Sequence, residues 1–122
     1  MAVQRARHRF SVDDYYRMAE SGVLGPGDRV ELIEGEIVEM SPIGSRHAAC
    51  LRRLVALFSE GTRGRAILSV QDPVRLDQHS EPQPDLALLR PRPDYYADGH
   101  PGPGDVLLLV EVCDTTWAFD QG

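Results

Sequence analysis

Gln83-Pro84-Asp85-Leu86-Ala87-Leu88-Leu89 is a short apolar run carrying one carboxylate, and Val106-Leu107-Leu108-Leu109-Val110-Glu111-Val112 repeats the pattern. Runs of this length between Pro/Gly clusters read as buried strands, although periodicity alone also admits buried helix. A carboxylate inside such a strand is costly unless it is paired, hydrogen-bonded or bound to a metal. Alternate residues of a strand share a face, so Gln83, Asp85, Ala87 and Leu89 point one way, and Leu107, Leu109, Glu111 and Cys113 do the same on the second run. If the two strands are neighbours, Asp85 and Glu111 converge at one end of a sheet. Two carboxylates plus water suit a hard divalent cation, Mg²⁺ or Mn²⁺.

The remaining composition bounds what such a site serves. A chain of 122 residues, 42% hydrophobic and 26% charged, is expected to form one domain, 1–122, with a modest core. No apolar run approaches the ~20 residues that cross a bilayer, and the basic start, Met1 to Phe10, lacks an apolar signal core. A cytoplasmic location without membrane contact is therefore expected. The net charge of -6 argues against indiscriminate polyanion binding. It is unevenly spread: ten Arg face nine acids in residues 1–65, and three Arg face ten acids in 66–122. Every one of the thirteen basic residues is arginine. Cys50 and Cys113 show no metal-type spacing and are expected as buried free thiols.

Local signals place the elements. Residues 1–10 read as a loose basic arm. Ser11 followed by Asp14 forms a capping-box pattern for a helix from about Val12 to Glu20, ended by Gly22. Glu34-Gly35 joins Arg29–Ile33 to Glu36–Met40 as a tight hairpin, its glutamates, Glu31 included, on the solvent face. From Ser45, as cap, to Glu60 a helix carries His47, Leu51, Leu54, Val55 and Phe58 on one face, with Arg46, Arg52, Arg53 and Glu60 largely elsewhere. His47 in its first turn reads either as a hydrogen-bonded structural histidine or as a catalytic one. Arg65 to Leu76 reads as a strand, or as two pieces bent at Pro73. Asp77–Ser80 is turn-rich, and Pro91–Gly104 is a Pro/Gly-rich surface loop anchored by Tyr95 and Tyr96. Asp105 opens the second carboxylate strand, and Asp114-Thr115-Thr116 has the form of a further helix cap.

Pro84-Asp85 on one strand and Glu111-Val112-Cys113 on the next, in this order of elements, resemble the PD-(D/E)XK nuclease superfamily. Glu31-Leu32-Ile33-Glu34-Gly35-Glu36, Ser45-Arg46-His47, Gln83-Pro84-Asp85 and Val110-Glu111-Val112 are similar, more closely, to its Uma-type, restriction-endonuclease-like branch, over essentially residues 11–120. The resemblance implies an α/β (α+β) fold, with a helix and hairpin over 11–40 and, over 41–122, a core whose mixed central sheet is flanked by helices. It implies a Mg²⁺- or Mn²⁺-dependent endonuclease acting on DNA, with Asp85 and Glu111 as metal ligands, His47 as a catalytic residue and Gln71 nearby. A homodimer would suit cutting of both strands. The chain departs from the pattern where the superfamily lysine is expected, two residues after Glu111, because Cys113 stands there. In the Uma-type branch the lysine follows an aspartate that Asp120 resembles, on a helix that with a last strand completes the sheet. The chain is thus expected to be C-terminally incomplete and inactive by itself. Two other readings stay open: a catalytically inactive, nuclease-like module that binds nucleic acid or protein, and a structural domain whose buried acids are merely hydrogen-bonded.

Overall fold

A computed structural model describes residues 5–113. The fold is α+β: two helices and two small sheets, all strand pairs of which are antiparallel among the described residues. The chain divides into two compact units, one built from Met1–Ser41 with Arg75–Pro82, the other from Pro42–Val74 with Gln83–Gly122.

In the first unit, α1 (Val12–Glu20) starts where the sequence places it. The Ser11 hydroxyl accepts from the Asp14 N–H at 3.1 Å, and the Asp14 carboxylate accepts from the Ser11 N–H at 3.0 Å. These bonds occupy donors that a helix start otherwise leaves unmet, and they hold the Asp14 carboxyl below its usual range. Strands β1 (Val30–Ile33) and β2 (Glu36–Glu39) form the expected hairpin. Its two turn residues, Glu34 and Gly35, have φ of +49° and +82°. That pair of positive angles twists the turn to match right-handed strands. Residues 5–10 are not a loose arm. Phe10 N–H donates to the Gly35 carbonyl at 2.9 Å, and the Arg7 guanidinium meets Glu36 at 2.7 Å, so the segment lies along the hairpin.

In the second unit, α2 spans Ser45–Gly61, with Gly44 rather than Ser45 as the N-cap residue. The apolar stripe behaves as expected: Leu51 is buried and His47, Leu54, Val55 and Phe58 half-buried, while Arg46, Arg52, Arg53 and Glu60 are exposed. The three-stranded sheet has the order β3 (Ile67–Val70), β4 (Leu86–Leu89), β5 (Val106–Val110). All four β4 residues are buried, because this strand has a neighbour on each edge. Strand β3 is shorter than the Arg65–Leu76 expectation. Gln71, at φ +55°, turns the backbone out of extended geometry before Pro73 is reached. Among the described residues β5 is an edge strand, and Leu107, Leu108 and Leu109 are 42–47% exposed. A short 3-10 turn, Pro103–Asp105, leads into it, so Asp105 lies just before the strand. The cysteines correct a sequence expectation. Both Cys50 and Cys113 are exposed, because Cys50 lies off the apolar stripe of α2 and Cys113 lies beyond the end of β5. Asp114-Thr115-Thr116 and Asp120 lie outside the described residues. No helix among the described residues is long and apolar enough to cross a membrane.

Candidate functional site

Strand β4 positions the first carboxylate. Asp85 directly precedes Leu86 and is buried, its side chain 12% exposed. Antiparallel pairing sets Leu86 opposite Val110; Asp85 directly precedes the first and Glu111 directly follows the second. The Val112 N–H donates to Asp85 at 2.8 Å, so the segment after β5 that carries Glu111 lies at the Asp85 end of the sheet. The environments of the two acids differ, however. Glu111 lies just past the end of an edge strand and is exposed, so the expectation of two buried carboxylates holds for Asp85 alone.

Three groups fix Asp85. His47 Nε2 lies 3.0 Å from Oδ1, and the Val112 N–H donates to Oδ2 at 2.8 Å. The Asp85 backbone carbonyl accepts from the Gln71 N–H at 3.1 Å. An ionised carboxylate only accepts, which assigns the proton of the first contact to Nε2 of the imidazole. His47 sits in the first turn of α2 with its side chain 16% exposed, and that burial is what brings the ring onto the acid. Gln71 reaches the same place because its left-handed backbone turns its N–H back towards the start of β4. Non-glycine residues hold such angles at a cost of about 1–3 kcal/mol, commonly beside functional groups. His47 and Gln71 thus both lie against Asp85, whereas Arg46, Arg52 and Arg53 face solvent.

The donor set suits a hard cation. A carboxylate offers about four lone-pair positions, and the two bonds to Asp85 leave two. Among the described residues no group of three or more His, Cys, Asp or Glu forms a closed metal cage. Two carboxylates completed by water match Mg²⁺, which keeps several waters and takes few protein ligands.

The family model described as "Putative restriction endonuclease", Uma2, matches residues 12–122. The chain belongs to the Uma2 family. Membership suggests a nuclease-like activity, in a family that generally works with divalent metals. No curated protein matches the chain.

One buried acid in this Uma2 chain has no sequence signal. Glu81, in the first unit, is 2% exposed; Tyr16 Oη donates to Oε1 and Arg75 Nε donates to Oε2 at 3.0 Å. Burial, followed by the bond to Glu81, pushes the Tyr16 hydroxyl well above its ordinary value. Arg75's own hydrogen bond to Glu81 raises its pKa in turn. Glu81 is flanked by turn residues and Pro82, with no apolar run to announce its burial; the pairing of its N–H with the Leu32 carbonyl and the bonds from Tyr16 and Arg75 hold it inside. Both carboxylate oxygens are bonded, so Glu81 is a structural acid.

Proposed function

We propose that this chain is the metal-binding core of a divalent-metal-dependent DNA endonuclease that hydrolyses phosphodiester bonds. Asp85 and Glu111 hold Mg²⁺ or Mn²⁺, and His47 acts beside them. The observation that supports the proposal is the β4–β5 pairing of Leu86 with Val110, beside which stand a buried, doubly hydrogen-bonded Asp85 and an exposed Glu111. When bound, the cation supplies Lewis acidity towards a phosphate oxygen and makes water a better nucleophile near neutral pH. The residues do the rest. His47 and the Val112 N–H lock the carboxylate plane of Asp85, so its free lone pairs keep one direction. Exposed Glu111 is reachable by a phosphodiester arriving from solvent. The first turn of α2 holds no acidic residue to repel it, and a helix N-terminus favours an anion.

A second reading, a nuclease-like module that binds nucleic acid without cutting it, is favoured by one observation. Cys113 stands two residues after Glu111, where the wider superfamily has lysine, and no lysine occurs in these 122 residues. Labelled single-stranded and duplex DNA incubated with Mg²⁺ or Mn²⁺, or with EDTA, separates the two readings. Cleavage that requires the metal and disappears in Asp85→Ala supports the endonuclease. Cleavage indifferent to EDTA or to Asp85→Ala refutes the assigned site, and binding with no cleavage by either protein favours the binding module.

A further inference from the structure

The β3–β4–β5 sheet has two chemically different ends. Asp85 and Glu111 occupy one. The pairing of Ile67 with Leu89 places the residues just before β3 and just after β4 together at the other. That end carries four arginines, Arg63 and Arg65 on the approach to β3 and Arg90 and Arg92 on the exit from β4. A cleft of about 730 Å³ opens there, lined by Gly64, Ile67, Leu68, Arg92, Pro93 and Tyr95 among others. Its volume lies within the ~300–1,000 Å³ usual for small-ligand sites.

Tyr95 is displayed at this cleft rather than packed away. It is 74% exposed and is held at φ +53°, followed by Tyr96 at +63°. Tyr96 does the holding: its Oη donates to the Arg90 carbonyl at 2.7 Å and its N–H donates to Asp94 Oδ1 at 3.2 Å. The Arg92 guanidinium lies 5.1 Å from the Tyr96 ring centroid and pairs with Asp94 at 3.0 Å. Consecutive left-handed tyrosines are a strained arrangement that persists only where surrounding contacts impose it. Here the contacts fix one ring and leave the other open to solvent.

A flat aromatic surface over an apolar floor, with Arg92 in the lining and three more arginines at the same end of the sheet, is complementary to a nucleobase carrying phosphates. Asp94, Asp98 and Asp105 also belong to this loop. Arg92 pairs with the first, and the Gly102 N–H donates to the carboxylate of the third at 2.9 Å. Arg65 and Arg90 spend one N–H each on the Gly61 and Gly104 carbonyls, out of five per guanidinium.

We propose that this cleft is a subsite for a single-stranded segment of nucleic acid, in which an unpaired base stacks on Tyr95 and its flanking phosphates meet the arginines of that end. The choice of nucleic acid rests on the endonuclease reading; the location and the stacking do not. A duplex keeps its base faces stacked inside, so only an unpaired base offers a ring to Tyr95. Four strand residues at ~3.4 Å each separate the two ends by roughly 14–17 Å. At ~3.4 Å per nucleotide along a duplex strand, a strand anchored at Tyr95 reaches the carboxylates within about five nucleotides.

Anisotropy titrations of the full chain with labelled dT12, in EDTA, test the proposal with metal chemistry silent. The single strand should bind more tightly than a hairpin duplex of similar length. Tyr95→Ala should weaken dT12 binding about 5- to 150-fold, the loss expected of one stacked base, and Tyr95→Phe should restore it. Tyr95→Gly guards against misfolding: it relieves the φ strain, so its Tm should rise while binding falls. Equal binding by wild type and Tyr95→Gly, no preference for single strands, or displacement of dT12 by thymidine monophosphate as effectively as by unlabelled dT12 overturns the proposal. Metal-dependent cleavage with an indifferent Tyr95 leaves the endonuclease standing and removes the subsite. Tyr95-dependent binding without metal-dependent cleavage does the reverse.

Discussion

Asp85→Asn removes a charge from the site while leaving an acceptor and a donor in the same position. In the wild type Oδ1 accepts from His47 Nε2 at 3.0 Å and Oδ2 from the Val112 N–H at 2.8 Å. An asparagine turned so that its oxygen faces Val112 presents its NH₂ to His47. A neutral imidazole accepts that bond by carrying its proton on Nδ1 instead. Both contacts then survive, and only their charge assistance is lost, at about 1 kcal/mol. Asp85→Ala leaves the His47 nitrogen and the Val112 N–H without this partner in a site where water enters poorly, at about 2–4 kcal/mol in total. For a chain of this size each kcal/mol moves Tm by about 4 °C. The asparagine variant should melt about 4 °C below wild type, and the alanine variant about 8–16 °C below. A divalent ion that binds only the folded state adds about 1.4 kcal/mol at ten times its Kd, about 5 °C. Wild type should show that gain with Mg²⁺ or Mn²⁺, and both variants should lose it. Melting curves of the three proteins with and without metal decide the matter. Equal destabilisation by Asn and Ala contradicts the His47–Asp85–Val112 geometry, and a metal gain that survives in Asp85→Asn removes Asp85 from the ligand set.

Three further outcomes follow from other parts of the chain. Tyr16→Phe leaves one oxygen of buried Glu81 without its donor and should cost about 1–3 kcal/mol at pH 7 by urea denaturation. Because burial and Glu81 raise the folded-state pKa of Tyr16, the folded protein retains a proton that the unfolded chain loses above about pH 10. Wild-type stability should therefore be intact below pH 10 and fall as pH climbs beyond it, and Tyr16→Phe should flatten that fall, with the smaller share due to Tyr15 remaining. Leu86→Ala, at a fully buried position of the central strand, should cost about 2–5 kcal/mol by the same measurement; a loss below 1 kcal/mol would contradict its placement. Gly35→Ala would put a methyl group 2.9 Å from the Arg9 Cα on a backbone at φ +82°, so hydrogen exchange at the Phe10 amide should accelerate as the segment lifts from the hairpin.

Much of the chain could be read locally. Ser11 and Asp14 mark the start of α1, Glu34-Gly35 the hairpin, and the His47–Phe58 stripe the buried face of α2. In each case the cause lies within a few residues: a cap, a turn angle or a helical period. The strand assignment of Leu86–Leu89 and Val106–Val110 was also legible, because each is a short apolar run bounded by Pro/Gly clusters.

What the sequence could not fix depends on neighbours. Two similar apolar runs met opposite fates: among the described residues β4 is central and buried, whereas β5 is an edge, and Glu111 and Cys113 beyond it are exposed. Apolar character says that a strand tends to be covered, and only sheet order says whether it is. The same holds for His47, which the fold sets with a ring nitrogen 3.0 Å from Asp85, and for Glu81, buried by a bridge to Leu32 and by its contacts with Tyr16 and Arg75. Local chemistry determined the elements and named the acids of this protein. Tertiary structure decided which of those acids is buried, what holds it, and which aromatic ring is left open to solvent, because burial and hydrogen bonding belong to pairs of segments far apart in the chain.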